Sequence, residues 1–231
     1  MEAEFVLFGR AHVSVLVAMV VTGATLVWIG RGDRSAKWRR SIRWGLAGIL
    51  FVSKLIGLAL SSASFGLSME ASLPMHLCDW AWACAVMALL TGWRTPYELA
   101  YFWGLAGTVQ AILTPDLPYG FPHPFFFTFF ISHCGLVVAV AFLTLGQGMR
   151  PGRGSIWRAF GWLQVYVVAA AGVNVLFGAN YGYLCRKPLG ASLLDHMGPW
   201  PWYIAAAEVL ALLFFCLLYM PFGLGRGRVR P

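Results

Sequence analysis

The sequence predicts an all-α, polytopic membrane protein with seven transmembrane helices, an outside N-terminus and a cytoplasmic C-terminus. Of its 231 residues, 59% are hydrophobic and only 11% are charged, whereas soluble domains carry about 25% charged residues. A helix that crosses a bilayer needs about 20 mostly apolar residues, so a chain of this length has room for about seven. We therefore predict a single transmembrane domain spanning residues 1–231.

Seven apolar stretches, separated by short polar connections, define the predicted helices. They lie near residues 11–30, 42–62, 74–92, 97–114, 124–146, 156–179 and 202–222. Glu2 and Glu4 stand where a secretory signal peptide would be basic, so we expect the first helix to be retained.

Basic residues are concentrated in alternate connections, and the positive-inside rule places such connections in the cytoplasm. Charge distributed in this way accounts for the net charge of +8 without a nucleic-acid partner. Glu70 and Asp116 lie in the connections predicted to be outside. Arg186 and Lys187, between the last two helices, are the exception, because they are basic residues in a connection that is also predicted to be outside. The basic residues on the predicted cytoplasmic side are Arg31, Arg34, Lys37, Arg39, Arg40, Arg43, Arg94, Arg150, Arg153, Arg158, Arg226, Arg228 and Arg230.

Several predicted helices contain polar or ionisable side chains, each of which costs a few kcal/mol in a bilayer. Because successive helices run in opposite directions, these residues fall at a similar depth in the outer half of the membrane. We therefore predict a shared polar cavity that opens toward the outer leaflet. The residues are Lys54, His76, Asp79, Gln110, His133, Asn174 and Glu208.

The densest polar stretch begins the third helix, where Pro74 suits the first helical turn. His76 and Asp79 are three residues apart and share a helix face, so the carboxylate could orient the imidazole. Cys78 projects elsewhere and needs a base from another helix, for which His133 is the candidate. A thiol paired with an imidazole is the usual source of a nucleophilic thiolate.

Other interpretations of these residues remain open. A membrane cysteine such as Cys78 often serves only for packing, and His133 could form an interhelical hydrogen bond. Lys54 could be neutralised by either Glu208 or Asp79, and Gln110 and Asn174 could likewise join helices. The five cysteines have no metal-finger spacing and the chain has no HExxH motif, so we expect neither a metal nor another cofactor.

The chain resembles the YwaF-type bacterial membrane proteins, which are similar to the eukaryotic transmembrane protein 164 family. The resemblance runs nearly from end to end, and Gly198-Pro-Trp-Pro-Trp-Tyr203 is its most unusual segment. Its other elements are Leu73-Pro-Met-His-Leu-Cys78, the helix with His133, Asn180-Tyr-Gly-Tyr-Leu, Lys187-Pro and Leu194-Asp195.

The resemblance implies a thiol-dependent lipid acyltransferase of the plasma membrane, with membrane lipids as its substrates. By motif, Cys78 matches the family's cysteine and His133 its histidine. Asn180 and Asp195 join the expected polar set without an assigned role, and Arg186 and Lys187 are candidates to bind a lipid phosphate. Asp79 departs from the family pattern, because a carboxylate beside the cysteine opposes thiolate formation unless His76 or Lys54 pairs with it.

A second function is compatible with the same residues. The outer cavity could bind or transport a lipid or small solute without breaking a bond, its polar groups acting as ligands or gates. In a third interpretation the polar residues serve stability alone. The sequence does not determine the oligomeric state.

The predicted orientation can be tested with reporters fused to each end of the chain. We expect a periplasm-active reporter to work at the N-terminus and a cytoplasm-active reporter to work at the C-terminus, because the basic connections should face the cytoplasm. A cytoplasmic N-terminus would refute this orientation.

Overall fold

The computed structural model of the protein describes residues 4–32, 36–65, 73–115, 117, 119–188 and 192–224. In these ranges the regular structure is helical, and one isolated antiparallel bridge joins Glu4 to Tyr119. Some residues used in the sequence analysis lie outside the described ranges: Glu2, Arg34, Glu70, Asp116, Arg226, Arg228 and Arg230.

Seven long helices correspond to the seven predicted ones. Two of them, α4 and α5, include a π-helical turn, and two short 3-10 helices, Tyr181–Tyr183 and Leu193–His196, lie between α6 and α7. The long helices are α1 (Arg10–Arg31), α2 (Ala36–Phe65), α3 (Leu77–Thr91), α4 (Arg94–Trp103, then Gly104–Thr108 and Val109–Leu113), α5 (Pro124–Ala141, then Phe142–Gly146), α6 (Ser155–Phe177) and α7 (Trp202–Leu224).

Five of these helices, α1, α2, α5, α6 and α7, are long and apolar enough to cross a membrane, and α3 is a shorter apolar helix. The fourth helix occupies the centre of the bundle. Every residue from Pro96 to Trp103 is buried, and the aromatic side chains of Tyr97, Phe102 and Trp103 belong to the main hydrophobic core. Because the first half of α4 is surrounded by protein, it does not need the continuous apolar surface of a lipid-facing helix.

Three helix starts differ from the predicted ones by three residues or more, and one of them is that of the fourth helix, which begins at Arg94 rather than near residue 97. The second helix begins at Ala36, six residues earlier than predicted, and its Arg39 donates to the carbonyl of Gly32 over 3.2 Å. The prediction that Pro74 lies in the first turn of the third helix is wrong. His76 is the N-cap of α3, so Pro74 lies in the extended segment before the helix.

Contacts between helix ends show that α1 and α5 run in the same direction and that α4 runs opposite to α1. At one end, Arg31 of α1 donates to the carbonyl of Leu145 in α5 over 2.9 Å. At the opposite end, the His12 ring of α1 lies 2.9 Å from the carbonyl oxygen of Ile112 in α4. The end with Arg31 gathers the described basic residues at the connections between α1 and α2, α3 and α4, and α5 and α6. Its location on the cytoplasmic side of a membrane stays a prediction.

A buried carboxylate, Glu98, organises the basic end and was not among the polar residues selected from the sequence. Its side chain is only 1% exposed and bonds to Arg158 at 2.8–3.0 Å, to Arg94 at 3.3 Å and to the backbone N–H of Gly152 at 2.7 Å. A carboxylate at this depth is tolerated only when its oxygens are paired in this way. Glu98 therefore joins the starts of α4 and α6 to the connection that precedes α6.

We expect Gly30→Ala to destabilise the protein by about 1–3 kcal/mol, the usual cost of overpacking a tight contact. A Cβ at Gly30 would lie 2.9 Å from the Phe142 ring and 3.0 Å from the Cα of Gly146, a backbone atom that cannot rotate away. Gly45→Ala is the control, since a Cβ there meets nothing within 4 Å. Thermal unfolding in detergent would measure both, and a Gly30 variant as stable as the Gly45 variant would contradict the packing.

Candidate functional site

A cavity of about 370 Å³ lies where α2, α3, α4 and α5 meet, close to the start of α3. It is lined by residues that are far apart in the sequence but were selected for the same predicted cavity. These residues are Lys54 of α2, His76, Cys78 and Asp79 at the start of α3, and His133 of α5. The structure thus brings the predicted nucleophile and the predicted base to one cavity.

The first turn of α3 is fixed by Asp79, which presents Cys78 to the cavity. Asp79 is the third residue of the helix, and its Oδ2 accepts the backbone N–H of the N-cap residue His76 over 3.0 Å. This bond satisfies a donor that the start of a helix would otherwise leave free. Asp79 therefore bonds to the backbone of His76, and the His76 ring packs edge-on against Tyr181, with 5.0 Å between centroids. That the carboxylate also orients the imidazole stays a prediction.

The other carboxylate oxygen of Asp79, Oδ1, forms an ion pair with the Lys54 amino group. The sequence left Asp79 and Glu208 as alternative partners for Lys54, and the structure selects Asp79. The two side chains are 28% and 10% exposed, so their charges largely neutralise each other inside the protein. The negative charge beside Cys78 is therefore balanced by Lys54.

His133 is held by its own helix in a defined tautomer. Its Nδ1 lies 2.8 Å from the carbonyl oxygen of Phe129, one turn earlier in α5. Because a carbonyl can only accept, Nδ1 carries the proton, and in the neutral ring Nε2 keeps the lone pair that can take up a proton. The ring also stacks on Phe129, with 4.1 Å between centroids.

Hydroxyl groups form a wall of the cavity that the sequence analysis did not identify. Ser53 Oγ lies 3.2 Å from Ser132 Oγ and 3.3 Å from the carbonyl oxygen of Thr128. Ser53 and Ser132 directly precede Lys54 and His133 in the sequence, but serine is common in helices and this adjacency alone does not reveal which way a hydroxyl points. Thr108, in the π-helical turn of α4, also lines the cavity.

Thr108 is distinctive because its hydroxyl is buried and has no hydrogen-bond partner among the described residues. An unpaired buried hydroxyl costs about 1–3 kcal/mol, and a ligand carbonyl in the cavity would remove that cost. The π-helical turn offsets the helix by one residue, a feature that is frequent at functional sites.

Three of the other predicted site residues do not line this cavity. Gln110 is exposed, and its amide donates to the Ala106 carbonyl of its own helix over 2.8 Å. Asn174 is buried and bonds both backbone groups of Tyr181, at 2.7 and 3.0 Å. Glu208 is half-buried on α7 and is not among the residues that line the cavity.

Asn174 is connected to the cavity by hydrogen bonds through Tyr181. The Tyr181 hydroxyl donates to the carbonyl of Leu73 over 3.0 Å, and Leu73 lines the cavity just before α3. The buried amide of Asn174, the fully buried Tyr181 and Leu73 therefore form a chain of contacts from α6 to the segment that leads to Cys78.

The remaining predicted residues shape the connection between α6 and α7. Asn180 accepts the backbone N–H groups of Cys185 and Arg186, both at 3.1 Å. Asp195 is exposed and accepts the backbone N–H of Ser192 at 2.8 Å. Lys187 lies over the Tyr203 ring, 5.5 Å from its centroid, and Arg186 is exposed. These residues do not line the cavity.

Comparison with known proteins extends over nearly the whole chain. A family model described as "TMEM164 family" matches residues 7–219. A protein from Treponema pallidum (strain Nichols), described as an uncharacterized protein, is 28% identical over 220 residues, which cover 94% of this chain and 90% of the relative. No solved structure matches the chain.

We expect Lys54→Met to destabilise the protein by about 3 kcal/mol, because it leaves the Asp79 carboxylate buried without its charge partner. Adding Asp79→Asn should restore at least half of the loss, since asparagine removes the unpaired charge and can still accept the His76 N–H. Thermal unfolding of the two single variants and the double variant forms the cycle. Additive losses would mean that Lys54 and Asp79 are not energetically coupled.

Proposed function

This chain belongs to the TMEM164 family, and from that premise we propose that it is a membrane-embedded lipid acyltransferase. Cys78 is its nucleophile, His133 is its base, and phospholipid and lysophospholipid are its substrates. The observation that carries the proposal is the joint presence of Cys78 and His133, from different helices, in the cavity between α2, α3, α4 and α5. Apolar helices support a multi-pass membrane protein, and the plasma membrane as its location is part of the proposal.

In the first half of the reaction, His133 Nε2 takes the proton of the Cys78 thiol and the sulfur attacks the ester carbonyl of a phospholipid. The bond from the carbonyl carbon to the glycerol oxygen breaks, and a thioester forms on Cys78. The proton on Nε2 passes to the departing glycerol oxygen, so that a lysophospholipid leaves with its hydroxyl complete. Covalent transfer of this kind divides one difficult exchange into two easier ones.

In the second half, the hydroxyl of a different lysophospholipid gives its proton to His133 Nε2 and attacks the thioester. The carbon–sulfur bond breaks and a new ester forms. The proton returns to the sulfur, which restores the Cys78 thiol and neutral His133. Both lipids reach the cavity from the surrounding bilayer, and no metal or other cofactor takes part.

Two features around Cys78 favour this chemistry. Lys54 neutralises Asp79, which reduces the repulsion between the carboxylate and a thiolate at the next residue. The unpaired Thr108 hydroxyl is a suitable donor to the substrate carbonyl oxygen, on which negative charge develops during attack.

The cavity also limits where the substrate's parts can lie. Its apolar lining includes Leu58, Phe125 and Leu136, which suits the start of an acyl chain. Among the described residues, Lys54 is the only Lys or Arg whose side chain lines the cavity. Arg186 and Lys187 lie outside the cavity and would meet a lipid phosphate only at the protein surface.

The proposal predicts a thioester on Cys78 that depends on His133. Purified protein in lipid nanodiscs would be incubated with an activated fatty-acyl ester, and hydroxylamine-sensitive adducts would be located by peptide mass spectrometry. We expect acylation of Cys78, a fall of at least about 100-fold in its rate in His133→Ala, the usual minimum effect of a positioned base, and no adduct in Cys78→Ser.

Cys84→Ser is the matched control, because Cys84 is on the same helix and is also half-buried but does not line the cavity. This variant should acylate at the wild-type rate. Indifferent labelling of all cysteines, or full acyl transfer by a folded Cys78→Ser variant, would overturn the proposal. Lipid retention without acyl transfer would instead support the binding or transport function.

A further inference from the structure

A second cavity, of about 440 Å³, lies at the opposite end of α2, beside the basic connections. It is formed where the first turns of α2 meet the end of α3 and the residue that follows α5. Its lining is dominated by guanidinium groups and contains no acidic residue among those described. The lining residues are Ala36, Arg39, Arg40, Arg43, Trp44, Leu90, Thr91 and Gln147.

Helical spacing and backbone contacts arrange these arginines around the cavity. Arg39 and Arg43 are four residues apart and lie on one face of α2. Arg43 donates to the carbonyls of Ala88 and Leu89 at the end of α3, which fixes it as a wall of the cavity. Arg40 lies over the Trp44 ring, 5.9 Å from its centroid.

Arg39 is only partly satisfied by the protein. Its Nη2 donates to the carbonyl of Gly32 over 3.2 Å, whereas its Nε is buried and has no hydrogen-bond partner among the described residues. The guanidinium group presents its donors as a planar fork that matches the oxygens of a phosphate. A phosphate ligand would therefore supply acceptors that this arginine lacks.

The electrostatics of the cavity also favour an anion. The start of a helix carries a partial positive charge, and the first turn of α2 has no acidic residue. Three arginines close to that charge repel it and one another, and a bound anion would reverse this unfavourable balance. Trp44 and Leu90 are 53% and 40% exposed, so the same cavity continues into an apolar surface.

The positive-inside rule explains why basic residues are present but not why they converge. That rule requires only positive charge near the membrane, and Lys37 meets it without lining the cavity. We propose that the cavity binds the phosphate headgroup of an anionic phospholipid, with its acyl chains against Trp44 and Leu90. The required chemistry is a phosphate anion, which a lipid or a free phosphate compound could supply. The site is separate from the cavity with Cys78 and does not depend on its function.

Native mass spectrometry of the full chain in mild detergent would test this site with phosphatidylglycerol and phosphatidylcholine as probes. We expect one tightly retained phosphatidylglycerol per chain and weaker retention of phosphatidylcholine. Arg39→Gln/Arg40→Gln should weaken phosphatidylglycerol binding about 30-fold, equivalent to about 2 kcal/mol for two basic residues near a lipid headgroup. Arg43 is left intact because it caps α3.

Lys37→Gln/Arg150→Gln is the charge-matched control, because it removes two positive charges from the same end of the protein but neither residue lines the cavity. It should retain phosphatidylglycerol within about threefold of wild type, a difference of only about 0.7 kcal/mol. Equal losses of phosphatidylglycerol binding in both double variants would show that the lipid responds only to general surface charge, and this would contradict the proposed site. Equal retention of the two lipids by wild type would do the same.

Competition with sn-glycerol 3-phosphate distinguishes a lipid from a free phosphate compound. A phospholipid site should keep its phosphatidylglycerol in the presence of this soluble headgroup, because the acyl chains contribute to binding. Displacement of the lipid at comparable concentrations would assign the cavity to a soluble phosphate compound and overturn the lipid assignment. Comparison of the melting temperatures of both double variants verifies that each is folded.

Discussion

The ion pair between Lys54 and Asp79 is the interaction on which the candidate site depends. One oxygen of Asp79 bonds to the backbone of His76 and starts α3, and the other bonds to Lys54 and joins α3 to α2. A carboxylate held away from water needs both partners, since the loss of either leaves a costly charge or an open helix end. The position of Cys78, one residue earlier, follows from this arrangement.

At both ends of the helix bundle a buried carboxylate is balanced by basic side chains. At one end a single acid, Asp79, is balanced by Lys54 beside the cavity with Cys78 and His133. At the other end Glu98 is saturated by Arg94, Arg158 and a backbone N–H. Arg39, by contrast, keeps a buried donor without a partner among the described residues. The carboxylate of Glu98 therefore has all its partners within the protein. The Arg39 Nε of the basic cavity and the Thr108 hydroxyl are donors that a ligand could satisfy.

Part of the candidate site could be predicted from the sequence because burying charge in a membrane is costly enough to single out a few residues. Lys54, Asp79 and His133 stood out for that reason, and they do meet at one cavity. Asn174 and Gln110 stood out equally, yet Asn174 holds Tyr181 and Gln110 bonds within its own helix. The free-energy cost of burying a polar side chain in a membrane marks such residues in the sequence, but it does not reveal the direction in which each side chain points.

The sequence by itself predicted an all-helical chain with seven helices, because long apolar stretches leave the backbone few alternatives in a membrane. Five of the seven helices are long and apolar enough to cross one. The sequence could not determine that α4 is central and buried, or that Thr108 and Ser132 face the same cavity as Cys78. Those facts depend on how far each helix is rotated about its axis and on the π-helical turn of α4. Such rotations are set by packing between segments distant in sequence, where a one-residue offset changes which side chain reaches the cavity, and only the tertiary structure decides them.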